Sequence, residues 1–198
     1  MKYLISIFAM LTIVCSCTNN NAQKQSSNPK EGGGLLVEAY NNGDWEKILS
    51  ICDTLYDEKD SKNIAIIYSE ALAATGNFEA SIEVLDRKMA QEPGNYYVLQ
   101  SKGNTYSVAE QYDSAIYYYD RVIEMKPTYA RPYINKGDIY TRLDDKENAI
   151  SNYMKAVYLF DRNSCLDEVY QYCNKILELD PSNKEALEYL RLVQESNQ

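Results

Sequence analysis

"YYVLQSKGNTYSVAEQYDSAIYYYDRVIEMKP", residues 96 to 127, is the stretch whose reading decides the fold of this chain. In its second half Ala115, Ile116, Tyr119, Val122 and Ile123 recur at three- and four-residue steps, which makes one apolar stripe of a helix. The stretch is also copied onward. Shifted along itself by an offset of 34, the chain brings Gly103 onto Gly137, Tyr106 onto Tyr140, Ala115 onto Ala149, Tyr119 onto Tyr153 and Pro93 onto Pro127. A fixed interval of this size marks a stacked array of supersecondary units. Small residues recur where two helix backbones must approach, and large rings fill the volume beside them. Most of the tyrosines therefore read as packing. Of the triple at 117 to 119, Tyr118 falls beside the stripe, and Tyr117 lines up with Arg121 and Glu124 on the solvent side.

Other copies flank this one. Leu72, Gly76, Phe78, Ser81, Leu85 and Pro93 keep the pattern upstream, and Gly43 and Trp45 match Gly76 and Phe78 at a spacing of 33. Downstream, Tyr133, Gly137, Tyr140, Ala149, Tyr153 and Ala156 keep it, with Asp161 where a proline is expected. These residues resemble tetratricopeptide repeats, each a pair of antiparallel helices. The resemblance implies an all-α fold, a right-handed superhelical solenoid of helix-turn-helix hairpins at about 35–61, 62–95, 96–129 and 130–163, closed by a divergent unit at 164–198. In that last unit "LDEVYQYCNKILELDP" ends like the second helix of a unit but occupies a first-helix slot. Two registers are compatible with it: a fifth hairpin that shields the end of the stack, or a helix at 165–179 paired backwards onto 147–160.

The segment before Leu35 differs in kind. Lys2 precedes an apolar run from Leu4 to Val14 that is shorter than the ~20 residues a spanning helix needs, so residues 1–16 read as a targeting segment. Its end, "VCSC", resembles the processing box of bacterial lipoproteins, with Val14 and Ser16 placed for cleavage before Cys17. That resemblance implies acylation of Cys17 and a lipid anchor, since several chains on one residue hold a protein where one would be marginal. With Thr18 and asparagines after Cys17 and no acidic cluster, the resemblance further implies the periplasmic face of the outer membrane. Thr18 to Gly34 has no aliphatic residue larger than alanine and is expected to form a flexible tether of roughly 20–25 Å root-mean-square span.

Composition narrows the chemistry. The chain of 198 residues is 45% hydrophobic and 25% charged and carries no histidine. Its net charge is −9, and because Lys2, Lys24, Lys30 and Glu31 are the charges before Leu35, the remainder carries −11. Nucleic acid, which wants a basic face, is not an expected partner. Common catalytic triads need a histidine or an activated cysteine, and zinc sites need histidines or paired cysteines, so neither catalysis, a cofactor nor a metal is expected. Cys52, Cys165 and Cys173 read as buried thiols. Cys165 and Cys173 are separated by about 12 Å of helical rise, beyond the ~7 Å between Cα atoms that a bridge tolerates. Asp113 and Asp144 each open a predicted helix and read as caps.

A helical-repeat array offers a concave face lined by the first helix of each hairpin. On one such helix Tyr97, Gln100, Asn104 and Ser107 share a face; on the next, Arg131, Asn135, Asp138 and Arg142 do. The resemblance implies that this groove grips an extended protein segment, with Asn104 and Asn135 in the places of asparagines that bond a ligand backbone. Gln100, Cys165 and Val169 stand where the carboxylate-gripping version of the family has cations, which argues against recognition of a C-terminal carboxylate. A second reading is glycan capture by exposed rings such as Tyr97 and Tyr117.

Overall fold

The computed structural model describes residues 33–55 and 62–196. The expected targeting segment, Cys17 and all but the last two tether residues lie outside the described residues. Among the described residues the secondary structure is entirely helical: α1 Gly33–Asn42, α2 Trp45–Leu55, α3 Lys62–Ala74, α4 Phe78–Gln91, α5 Tyr96–Val108, α6 Tyr112–Met125, α7 Ala130–Arg142, α8 Lys146–Asp161, α9 Leu166–Leu179 and α10 Lys184–Ser196. They divide into two compact units, one ending at Asn152 and the other beginning at Tyr153.

In the unit that ends at Asn152, each helix packs on the next from α1 to α7, and the first helices also touch each other, α3 on α5 and α5 on α7. Close approach inside a hairpin depends on residue 103. A Cβ at Gly103 would lie 2.5 Å from Cε1 of Tyr119, so only glycine lets that ring lie flat on the α5 backbone. Tyr119 is 1% exposed as a result, and Ala115 and Val122 on the same stripe are fully buried. The Ala115 position carries a serine in the preceding unit. Ser81 is completely buried there, and its hydroxyl bonds the Ser69 carbonyl at 2.8 Å and meets the Thr105 hydroxyl at 2.9 Å, tying α4 to both α3 and α5.

The stripe reading of the tyrosines holds with one refinement. Tyr119 and Tyr153 are buried, whereas Tyr106 and Tyr140 are half-buried. Tyr106 stacks on Tyr118 at 5.4 Å between centroids, and the exposed Tyr117 meets Tyr118 edge-on at 5.2 Å. Tyr117 thus faces water but shares one ring cluster with its neighbours.

A polar ladder crosses the hairpin junctions at the repeat interval. Asp86 on α4 pairs with Lys102 on α5 at 2.5 Å, and one period later Asp120 on α6 pairs with Lys136 on α7 at 2.5 Å. At the junction before these, Asp53 on α2 accepts from the Tyr68 hydroxyl on α3 at 2.5 Å. Lys102 is 3% exposed. Burial by itself would depress its pKa, but the Asp86 carboxylate and Tyr118 beside it outweigh burial and hold it raised.

The turns explain where hairpins begin. At Gly43, Gly76, Glu110, Asp144 and Ser164 the backbone takes a positive φ, from 57° to 84°. Each of these residues donates its N–H to the carbonyl three back, and the next residue donates to the carbonyl five back, at 2.8–3.2 Å. This left-handed helix stop reverses the chain. Asp144 is therefore a turn residue and not the expected cap; Asp145 takes that role, accepting from the Asn148 backbone at 3.1 Å. Asp113 lies inside the first turn of α6, whose N-cap is Gln111. There its charge still faces the positive end of the helix dipole.

The same turn recurs at Ser164, in the C-terminal part of the chain. It leads from α8 into α9 in the way the earlier ones lead from the first into the second helix of a hairpin. The far end of α9 also finishes like second helices α4 and α6: the cap residues Glu92, Lys126 and Asp180 share φ between −134° and −142°. In the unit from Tyr153 onward, Tyr172 of α9 lies 6.0 Å from Tyr153 and 5.7 Å from Phe160, both on α8. Helix α9 thus meets α8 through Tyr172 and also packs on α10, so both pairings named from sequence occur.

Three stability effects follow. Gly103→Ala forces the Tyr119 ring off its seat and should cost about 1–3 kcal/mol, measured by urea unfolding. Glu110→Gly removes a left-handed side-chain penalty and should be neutral or stabilising by up to about 1 kcal/mol. Asp86→Ala leaves the buried Lys102 ammonium with Tyr118 but without its carboxylate and should cost about 1–3 kcal/mol, discounted for the half-exposed carboxylate. Loss of stability in Lys102→Met as large as in Asp86→Ala would show that packing, and not the charge, matters there.

Candidate partner-binding site

The proposed groove residues come from α5 and α7, whose contact in the unit ending at Asn152 sets their two faces side by side. The repeat period does this by itself, because like faces of successive first helices become neighbours. Asn135 Nδ2 on α7 donates to Asn104 Oδ1 on α5 at 2.9 Å. The same oxygen accepts from Gln100 Nε2 at 3.0 Å and from the Tyr119 hydroxyl at 3.0 Å. One amide oxygen thus gathers a donor from each of α5, α6 and α7.

That network changes what the face presents. Gln100 and Asn135 are buried, at 5% and 7% exposure. Gln100 and Asn135 therefore serve as internal cross-links and not as open hydrogen-bonding groups, and Gln100 Oε1 is a buried acceptor without a hydrogen-bond partner among the described residues. Asn104, Arg131 and Asp138 are half-buried, while Tyr97 and Arg142 are exposed. Arg131 and Asp138 reach toward the centre: Tyr119, whose pKa burial drives up, feels the Asp138 charge pushing the same way and Arg131 opposing it.

A ring cluster that sequence periodicity did not reveal caps one end. Tyr97 lies 4.2 Å from Tyr96 and 6.5 Å from Tyr129, and Tyr96 lies 5.7 Å from Tyr129, with the Lys126 ammonium 5.5 Å from the Tyr96 centroid. Burial raises the pKa of Tyr129 against the pull of Arg131. The signal in sequence was available: one period after Asn95, Tyr129 puts a ring at the loop position from which the next first helix starts. The rings are not coplanar: Tyr97 is tilted 32° to Tyr96 and 74° to Tyr129, and Tyr117 stands 80° to Tyr118. A flat sugar platform would need them parallel.

Elsewhere the titratable groups fit structure better than chemistry. Cys52, Cys165 and Cys173 are buried as thiols, and burial pushes Cys52 and Cys173 up to about 11. Tyr40 on α1 donates to Glu70 Oε2 on α3 at 2.9 Å, and burial pushes Glu70 up to about 6 even though that hydrogen bond pulls the other way.

Comparison with known proteins places these features. A family model described as "Tetratricopeptide repeat" matches residues 96–129 and 130–163. The chain is 30% identical over 97 residues to ER membrane protein complex subunit 2 of Xenopus tropicalis, a match that covers 46% of this chain and 32% of that protein. It therefore spans about a third of the length of the curated relatives it matches. Among solved structures, MamA 41-end from Desulfovibrio magneticus RS-1 superposes with a TM-score of 0.57 at 21% identity, covering 86% of this chain and 95% of that one. TTC0263, a thermophilic TPR protein of Thermus thermophilus, does so with a TM-score of 0.57 at 16% identity, covering 83% and 98%. At these identities the structural matches bear on the fold.

Glu70 generates a test. A carboxyl whose folded pKa lies above the ordinary 4.5 binds its proton more tightly in the native state. Its contribution is fully present below the unfolded value and is lost as pH rises from there through about 6. Glu70→Gln keeps an acceptor for Tyr40 without the charge. It should match the parent near pH 4 and exceed it by about 1–2 kcal/mol at pH 7.5, read from urea midpoints at both pH values.

Proposed function

This chain is a tetratricopeptide-repeat protein, and we propose that it is a protein-interaction scaffold that holds an extended partner segment along the joined faces of α5 and α7, tethered to the bacterial cell envelope through a lipidated Cys17. The observation that carries the reading is the Asn135–Asn104 bond, which locks two successive first helices into one surface. Tyr97, Arg131, Asp138 and Arg142 then stand on that surface as a ring, two cations and an anion around a fixed amide centre. The mixed charge suits a segment with polar side chains of both signs. The missing cations at Gln100, Cys165 and Val169 argue against a terminal carboxylate as the anchor.

The anchor is supported by the "VCSC" box and the polar run after it, which together favour the periplasmic face of the outer membrane. The curated relatives are named as subunits of a membrane protein complex, which accords with a role in assembly, although the matched segment is a minor part of them. Catalysis has no candidate residues in this reading. Glycan capture is disfavoured by the crossed ring planes of the two tyrosine clusters.

Two measurements test the proposal. In cells treated with a cross-linker, the Arg131→Ala, Arg142→Ala double variant should lose at least tenfold of the co-purified partner while keeping its helical circular dichroism; undiminished capture removes the groove from consideration. Cys17→Ala should move the protein from the membrane pellet to the supernatant, and continued sedimentation with membranes would remove the lipid anchor.

A further inference from the structure

A second surface lies on the other side of α5. Between α4 and the C-terminal half of α5 is a hollow of about 450 Å³, open to solvent, which none of the groove residues lines. Its apolar floor is Phe78, Ile82, Tyr106 and Ala109, and its rim carries the carboxylates of Glu79, Glu83 and Asp86 with no cation among the lining residues. Asp86 is committed to Lys102, and Glu83 meets Arg87 at 3.5 Å with both side chains largely in water.

The lining of the hollow changes in the next unit. An array with a strict period would show the same crevice in the next unit, where Ile139, Leu143 and Tyr117 occupy the positions equivalent to Thr105, Ala109 and Glu83. All three replacements are bulkier and more apolar. Each junction carries three carboxylates, since Asp113, Asp120 and Asp145 of the next unit stand for Glu79, Asp86 and Gln111, so what sets this one apart is its smaller side chains at 105 and 109.

We propose that this hollow is a docking site for a partner segment that presents an arginine or lysine next to an aliphatic side chain. Charge complementarity selects the occupant: the lining is anionic in a region whose net charge from Leu35 onward is −11. Long cationic side chains lay their methylene stems on apolar surface and keep the charged head outside. Here the stem would lie over Phe78 and Tyr106, with the head at Glu79 and Glu83. Because the hollow is open to solvent, it would seat such side chains against its floor without enclosing them.

The test uses N-acetyl-Leu-Arg-amide as probe, its citrulline counterpart as the uncharged control and N-acetyl-Leu-Glu-amide as the reversed charge, read by amide chemical-shift titration of the full chain. The arginine probe should give saturable shifts at Thr105, Tyr106 and Ala109 and bind at least tenfold more tightly than either control. Glu79→Gln with Glu83→Gln should remove that preference, and Ala109→Leu, which fills the hollow as the next unit does, should abolish binding with helicity unchanged. Equal binding of the citrulline or glutamate probe, shifts centred on Tyr97 and Arg131, binding that survives Ala109→Leu, or no saturable shift would each overturn the proposal. Because those shifts are read at residues outside the α5–α7 face, failure here leaves the groove reading to its own test.

Discussion

The contact on which the described hairpins depend is the seat of Tyr119. Its ring lies where a Cβ on residue 103 would be, and its hydroxyl ends on Asn104. One side chain therefore sets the distance between α5 and α6 through its face and their register through its tip. Since Asn104 also receives Asn135, the internal geometry of one hairpin is passed to the first helix of the next by a hydrogen bond. Packing and polarity act together here: without the glycine the ring cannot arrive, and without the ring the amide oxygen loses one of its three donors.

The junction ladder works on the opposite principle. Asp86–Lys102 and Asp120–Lys136 put a buried or nearly buried ammonium under a half-exposed carboxylate. Such pairs add little as isolated surface bridges, but removal of the carboxylate strands a cation in the interior. They are better regarded as register pins than as a source of stability. In the first junction the tyrosine hydroxyl of Tyr68 substitutes for the ammonium at Asp53, so the geometry persists while the charge changes.

The array was legible from the residues because its determinants are steric and periodic: glycine against ring, alanine against stripe, at a constant interval. The burial of Cys52, Cys165 and Cys173 was legible for the same reason. The site was less so. An asparagine or glutamine on a helix face has the same composition whether it meets solvent or another amide, and only the fold shows that Gln100 and Asn135 turn inward. The turns hid as well. Gly43 and Gly76 announce a left-handed stop, but Glu110, Asp144 and Ser164 adopt it with side chains that carry no such signal, and so Asp144 reads as a cap from sequence and the register after Asn163 stays open until the backbone is seen.

The buried thiols give the molecule a property of their own. Cys52 sits in the core of the unit ending at Asn152, packed with Leu36, Ala39 and Ile48, and Cys173 lies in the interior of the unit from Tyr153 onward. Both are held protonated at neutral pH and shut away from reagents, so each would react with an alkylating agent only when its own surroundings transiently open. The chain therefore carries a native reporter in each half, and the relative labelling rates of the two would reveal whether the halves breathe together or separately.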